Sequence, residues 1–162
     1  LHSSKYTSFN TRYDKLNTPR SAGYQAYRQS RCVIAVKGFG ETEFKNKKPV
    51  HYFDMQAENG GLLLGGLCRD WINSQTGEVK TSCSVITLPP HEKLQHIHSK
   101  AMPLILLQDS NTIDNWLNVE LTDVEQFTSL LQPHIPQSLI AHKIDKPMTY
   151  NSIGNPELIA KD

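Results

Sequence analysis

The sequence is short of cysteine and lacks both a long apolar run and an export signal. Its 162 residues include three cysteines, an odd number, and none belongs to a C-x-x-C pair. A disulfide framework or zinc site is therefore not expected, and each cysteine is predicted to be a small buried hydrophobe. No apolar run approaches the ~20 residues that span a bilayer, and no basic-then-apolar leader is present. We expect a cytoplasmic protein without a membrane partner.

Common catalytic and nucleotide-binding motifs are missing as well. No G-x-S-x-G elbow is present for a serine nucleophile. Gly60-Gly61 and Gly65-Gly66 lack the lysine and the following helix of a phosphate loop. His91, His96 and His98 have a spacing that fits no strong zinc pattern. The sequence therefore predicts neither a metal nor a cofactor.

Positive charge is concentrated in the first third of the chain. Residues 1–50 hold ten Lys and Arg against three acidic residues, a net of +7, and residues 51–162 hold seven against thirteen, a net of −6. Such polarity predicts a basic groove for an anionic partner. The alternative is that folding interleaves the two halves and leaves no continuous basic patch.

Apolar patterning and turn residues predict one α+β domain over residues 1–162. We expect a curled, mainly antiparallel β-sheet or a partly open β-barrel with a few short peripheral helices. An Asn-Gly turn at 59–60 should join two strands as a hairpin, and residues 147–162 should form a loop. One predicted strand begins at residue 31, and four others cover residues 50–55, 62–68, 80–88 and 139–144. Predicted helices cover residues 18–29, 90–96, 111–118 and 123–131, and a capping box at Thr122–Glu125 begins the last of them.

The apolar strand that begins at Arg31 is followed by a candidate site carboxylate. Gly38 and Gly40 should break this strand, since glycine permits bends and close backbone approach. Glu41 then follows at the end of a rigid element, where functional groups are often presented. From the local pattern alone, the favoured interpretation of Glu41 is a solvated charge at a strand end.

Asn10, Arg12, Glu41 and His98 form the remaining candidate set. Arginine offers a planar fork for phosphate, and asparagine offers an amide that can orient a sugar or carbonyl. Glutamate and histidine can exchange protons near neutral pH if burial raises the carboxyl pKa. Together they suit chemistry at a sugar beside a phosphate in nucleic acid. Arg12 as a surface charge and Asn10 as a cap or turn residue remain open.

Three segments in this order resemble the SOS response-associated peptidase (SRAP) family. They are the Asn-x-Arg segment at 9–12, the Arg-Cys strand that ends in Gly-aromatic-x-Glu at 31–41, and the Ile-His segment that leads to Met-Pro at 94–103. The resemblance covers residues 9–159. It implies action on abasic sites in single-stranded DNA through an N-terminal cysteine, whose amine and thiol close a thiazolidine ring on the sugar aldehyde. It also implies peptidase-like removal of residues ahead of that cysteine.

By this resemblance, Glu41 takes the acid/base role in sugar-ring opening, His98 aids proton transfer, and Asn10 helps to hold the terminal cysteine and the sugar. Arg12 grips the DNA backbone. Ala101 stands where the family has an arginine, and Lys100 is the expected substitute. The chain begins with Leu1, so the family's N-terminal segment is expected to be missing and none of the three cysteines is assigned as nucleophile.

The partner implied by the resemblance is single-stranded DNA with abasic sites. We expect a monomer that is cytoplasmic and associated with the nucleoid when bound to DNA. Two alternatives stay open: a non-catalytic single-stranded nucleic-acid binding module, and a cytosolic hydrolase that uses His98 and Glu41 on a small substrate.

Overall fold

The computed structural model describes residues 9–162, which contain two β-sheets. The strands are β1 Asn10–Arg12, β2 Arg31–Val36, β3 Gly38–Lys45, β4 Lys48–Ala57, β5 Leu62–Ile72, β6 Val79–Leu88, β7 Met102–Pro103, β8 Leu139–Ile144 and β9 Glu157–Ile159. In the first sheet the strand order is β1-β6-β5-β2, with β7 paired to β6; in the second it is β3-β4-β8-β9. All neighbouring strands are antiparallel except β1 and β6.

The predicted α+β class, mainly antiparallel with a few short helices, is confirmed. The described strands are divided between two sheets and do not close into one barrel. The described residues form two α-helices, α1 (Tyr24–Gln29) and α2 (Ser110–Leu117). They also form 3-10 segments at Tyr13–Lys15, Glu92–Leu94 and Val124–Leu131. Neither α-helix is long enough to cross a membrane. The single domain predicted over 1–162 stays a prediction, and its first eight residues lie outside the described ones.

Three predicted helices differ from those in the structure, and the one predicted over residues 90–96 is only a 3-10 turn at Glu92–Leu94. The helix predicted from Thr18 begins only at Tyr24, because Arg20 adopts a left-handed backbone with φ 69° and interrupts the helical conformation. The predicted capping box is also wrong in detail. Asp123, not Thr122, caps the segment by accepting the Glu125 N–H, and the segment is a 3-10 helix.

The predicted hairpin at Asn59-Gly60 is wrong. Gly60 does have a turn conformation, with φ 72°, but the turn carries the chain from β4 in the second sheet to β5 in the first. The chain crosses in the other direction, from the first sheet to the second, between β2 and β3 at Lys37. Gly38 begins β3 there, and a Cβ at Gly38 would lie 2.2 Å from the Met55 carbonyl oxygen, so only glycine fits.

Two further expectations are corrected. The strand that begins at Arg31 does end just before Gly38, but Gly38 and Gly40 both belong to β3, and Glu41 lies in the middle of that strand rather than at its end. The tail predicted as a loop contains β9, which pairs with β8 through Leu139 and Ile159. Ile159 is 4% exposed, and its burial fixes this three-residue strand at the edge of the sheet.

Residues of both sheets share one apolar core. Met55, Leu139 and Ala141 of the second sheet belong to the same buried cluster as Leu67 and Ile86 of the first. Burial of such side chains is the main favourable contribution to folding. Other members come from the helices and connections: Leu16, Tyr27, Leu94, Ile97, Leu104, Leu106, Trp116, Phe127 and Ile135.

The buried side chain of Arg31, on β2 of the first sheet, forms hydrogen bonds to α1 and to the C-terminal end of α2. It is 7% exposed, and its guanidinium donates to the carbonyl oxygens of Tyr27 (2.8 Å), Trp116 (2.7 Å) and Asn118 (2.6 Å). The fork geometry of arginine lets one side chain satisfy several carbonyls at once. One positive charge of the first third is therefore structural and does not face an external anion.

Candidate active site

Glu41 lies on the inner face of the second sheet. It is directly opposite Phe53 of β4, just as Phe39 is opposite Met55, a fully buried core residue. Residues directly opposite on antiparallel strands share a face, and so do residues two apart on one strand. The Glu41 carboxyl group therefore points to the same side as the core, and its side chain is only 18% exposed.

His98 meets Glu41 at the outer edge of β3. The connection after the 3-10 turn places it there, with its backbone N–H donating to the Leu94 carbonyl. Its Nδ1 is 2.9 Å from the Thr42 carbonyl oxygen and 3.3 Å from Glu41 Oε2. Because a carbonyl oxygen only accepts, Nδ1 carries the hydrogen. In the neutral ring, Nε2 is then the nitrogen that can accept a proton.

Burial raises the pKa of Glu41 to about 7. The charge of His98 and a backbone hydrogen bond from Thr42 act in the opposite direction, and they offset this effect only in part. A carboxyl group of this kind holds a proton in a substantial fraction of molecules near neutral pH, and it can both give and take one. The arrangement therefore suits general acid/base chemistry.

A second glutamate–histidine pair lies two residues along β3, and there the pKa of the glutamate is shifted in the opposite direction. Glu43 Oε2 is 2.6 Å from His51 Nδ1, and Glu43 Oε1 is 3.2 Å from Lys45 Nζ. Hydrogen bonds from these two partners lower the pKa of Glu43. Its carboxylate is thus held in the charged form, which makes Glu43 a matched control for Glu41.

The other candidate residues lie in two places. Lys100 is on the same side of the molecule as β3, with its Nζ 4.8 Å from the centre of the Phe44 ring. Asn10 and Arg12 lie on β1 of the other sheet, and Arg12 binds Asp14 through both Nε (3.0 Å) and Nη2 (2.9 Å). The structure thus brings Glu41 and His98 into contact, while the roles of all five residues stay predictions.

A groove of about 680 Å³ runs along β1, β5 and β6 beside α1. Arg12 and Lys15 of the first third line it together with Arg69 of β5, so folding combines cations from both parts of the chain. Two exposed aromatic side chains, Phe9 and Trp71, also line it. Cations with exposed rings are the features that bind single-stranded nucleic acid.

The three histidines near residues 91–98 do not form one centre. His91 pairs with Asp162, His96 with Glu157, and His98 with Glu41. Within residues 9–162, no three His, Cys, Asp or Glu side chains gather as metal ligands.

Sequence reasoning missed the groups that hold this site in place. The Thr42 carbonyl that orients His98 is a main-chain atom and has no signature in the sequence. The Glu43–His51 pair depends on the register of β3 against β4, and residues 39–45 do not alternate between apolar and polar side chains, so it has no clear signature in the sequence either.

Comparison with known proteins identifies the family. Residues 2–150 match the family described as SOS response associated peptidase (SRAP). The chain belongs to the SRAP family.

Named relatives of this SRAP chain are abasic site processing proteins of Bacillus subtilis. YoqW is 29% identical over 130 residues, which cover 80% of this chain and 56% of YoqW. YoaM is 26% identical over 155 residues, which cover 95% of this chain and 66% of YoaM. The chain therefore spans little more than half the length of YoqW.

The SRAP chain also resembles solved structures. A crystal structure of a protein from Bacteroides thetaiotaomicron superimposes with a TM-score of 0.71 at 23% identity and covers 88% of this chain and 61% of that one. At this identity the likeness supports the fold alone.

Proposed function

We propose that this SRAP chain processes abasic sites in single-stranded DNA, as part of the response to DNA damage. The observation that carries the proposal is the contact between Glu41 and His98, with a carboxyl pKa near 7. The names of YoqW and YoaM as abasic site processing proteins support the substrate. The pair supplies the acid and base that this substrate needs.

An abasic sugar reacts as an aldehyde only after its ring opens. Opening requires a proton for the ring oxygen and removal of the proton from the anomeric hydroxyl. Protonated Glu41 can provide the first, and the ionised carboxylate or His98 Nε2 can accept the second. Because Thr42 and Glu41 hold Nδ1, the imidazole keeps one orientation during the exchange.

The covalent step is assigned to an N-terminal cysteine. Its amine condenses with the aldehyde, releasing water and forming an imine, and its thiol then adds across the C=N bond to close a thiazolidine. This ring needs a free α-amine beside the thiol. The nitrogens of Cys32, Cys68 and Cys83 belong to peptide bonds, so none of the three can form it. We assign peptidase-like self-processing, which exposes the terminal cysteine, to the same site.

The test uses a form of the protein that begins with Met-Cys and a single-stranded oligonucleotide with one abasic site. We expect an adduct that survives a denaturing gel, and much slower adduct formation by Glu41→Gln. Glu43→Gln should react like the parent, because Glu43 lies on the same strand without a raised pKa. No adduct from a protein with an intact terminal cysteine, or equal loss in both variants, would contradict the proposal. A duplex substrate in a parallel reaction tests the preference for single strands.

The cationic and aromatic groove favours one alternative, a non-catalytic nucleic-acid binding module. Such a module would bind an intact oligonucleotide as well as an abasic one. Neutralising about five phosphates of a single strand predicts a log–log salt slope near −3.5. A flat salt dependence would exclude binding along the backbone.

A further inference from the structure

Cys68 and Cys83 lie directly opposite each other on β5 and β6. The Cys68 N–H donates to the Ser30 carbonyl at 2.8 Å, on the side of β5 that faces β2. In an antiparallel sheet the N–H and C=O of one residue point to the same edge, so Cys68 and Cys83 are a non-hydrogen-bonded pair. The Cα atoms of such pairs are about 4.5 Å apart, within the range of about 4.4–6.8 Å that a disulfide needs.

The pair differs from the third cysteine in its access to solvent. Cys83 is exposed, so the prediction that each cysteine is buried is wrong there, and Cys68 is half-buried; both line the groove along β1, β5 and β6. Cys32 is on the same face of the sheet, but it is absent from that groove lining and its pKa is raised to about 12, chiefly by burial. A small oxidant in the groove therefore reaches Cys83 first. The Cys68 thiol donates to the Ser30 carbonyl at 3.4 Å, and it must leave that hydrogen bond to react with the product on the opposite strand.

We propose that Cys68 and Cys83 are a reversible thiol–disulfide pair that peroxide oxidises. In the first step the Cys83 thiolate attacks hydrogen peroxide and becomes a sulfenic acid, releasing hydroxide. In the second step the Cys68 thiol displaces water from that sulfenic acid and forms the disulfide. Overall, two thiols and one peroxide give one disulfide and two waters. A dithiol reductant reverses the change.

The disulfide would close residues 69–82 into a covalent loop. That segment holds the outer halves of β5 and β6 with the turn between them, including the groove residues Arg69 and Trp71. A cross-link of this size restricts the unfolded chain and raises stability. It would also fix one wall of the groove, so that oxidation changes a surface that we consider for nucleic-acid binding.

The test treats the full chain with stoichiometric hydrogen peroxide and then blocks free thiols in denaturant. We expect a monomer that has lost two hydrogens and retains one alkylatable thiol, at Cys32, and a cross-linked peptide containing Cys68 and Cys83. The urea midpoint should rise and should return after dithiothreitol. Cys32→Ser should behave like the parent, and Cys68→Ser should leave a sulfenic acid at Cys83 that dimedone traps.

Three results would overturn the proposal. They are a Cys32–Cys68 linkage, a dimer linked through Cys83, and over-oxidation of Cys83 while Cys68 stays alkylatable. The peptide mapping uses the parent chain, so the result does not depend on whether a cysteine variant folds.

Discussion

Replacing Glu41 by glutamine should stabilise the protein at alkaline pH and leave its stability unchanged in acid. The pKa of Glu41 is about 7 in the folded protein, against an ordinary value of 4.5. Between these two values the folded state binds more protons than the unfolded state, so wild-type stability falls as pH rises. The difference of about 2.5 pKa units, at about 1.36 kcal/mol per unit, makes charged Glu41 cost about 3 kcal/mol above pH 7.

Glutamine is neutral at every pH and avoids this cost. Urea unfolding of both proteins from pH 4 to pH 8 should therefore show no difference near pH 4 and an advantage for Glu41→Gln that grows to about 3 kcal/mol at pH 8. For a chain of this size the advantage corresponds to roughly 6–12 °C in melting temperature.

Glu43→Gln provides the control, because its change in stability should have the opposite sign to that of Glu41→Gln. The pKa of Glu43 is lowered by His51 and Lys45, so its carboxylate stabilises the fold above the unfolded pKa, and that stabilisation is lost as pH falls. This variant should be less stable than wild type at pH 7 and should approach it in acid. If the difference between wild type and Glu41→Gln stayed constant from pH 4 to pH 8, the burial argument for Glu41 would be refuted.

Three further predictions concern the framework and the pH dependence of the reaction. Arg31→Lys should cost about 2–4 kcal/mol in urea unfolding, because one ammonium cannot satisfy the buried carbonyls that the guanidinium binds; wild-type stability in this variant would contradict the structural role. Gly38→Ala should cost about 1–3 kcal/mol, since its Cβ would meet the Met55 carbonyl oxygen at 2.2 Å, whereas Gly40→Ala, with its nearest contact at 3.9 Å, should cost less; equal costs would argue against the close approach. Adduct formation by a form with an N-terminal cysteine should decline above about pH 7 as Glu41 loses its proton, and a flat rate from pH 6 to pH 8 would exclude Glu41 as the acid.

Local patterns predicted most of the elements but not their distribution between sheets. The strand that begins at Arg31, the strand ending at Leu88 and the helix near residues 110–118 follow from apolar periodicity, and the structure contains all three. The division into two sheets depends on contacts between distant residues, such as Gly38 with Met55. An Asn-Gly turn fixes a local change of direction, and it does not determine which strand pairs with which.

The residues of the candidate site could also be predicted only in part from local sequence patterns. The local pattern around Glu41 favoured a solvated charge, and the resemblance to a family was needed to connect it with His98. Burial of Glu41 results from the pairing of β3 with β4, which turns residues 39 and 41 toward the core. Asn10 and Arg12 lie on β1 of the first sheet, and their predicted place in this site stays a prediction.

The most direct test of the account is the pKa of Glu41 itself. Carbon-13 NMR of glutamate side-chain carboxyls, with Glu41→Gln to assign the signal, follows its titration in the intact chain. We predict a midpoint near pH 7 in wild type. In His98→Gln the midpoint should be higher, because the histidine charge that lowers the pKa is gone. A midpoint near 4.5, unchanged in His98→Gln, would contradict the claim that Glu41 and His98 form a buried acid/base pair.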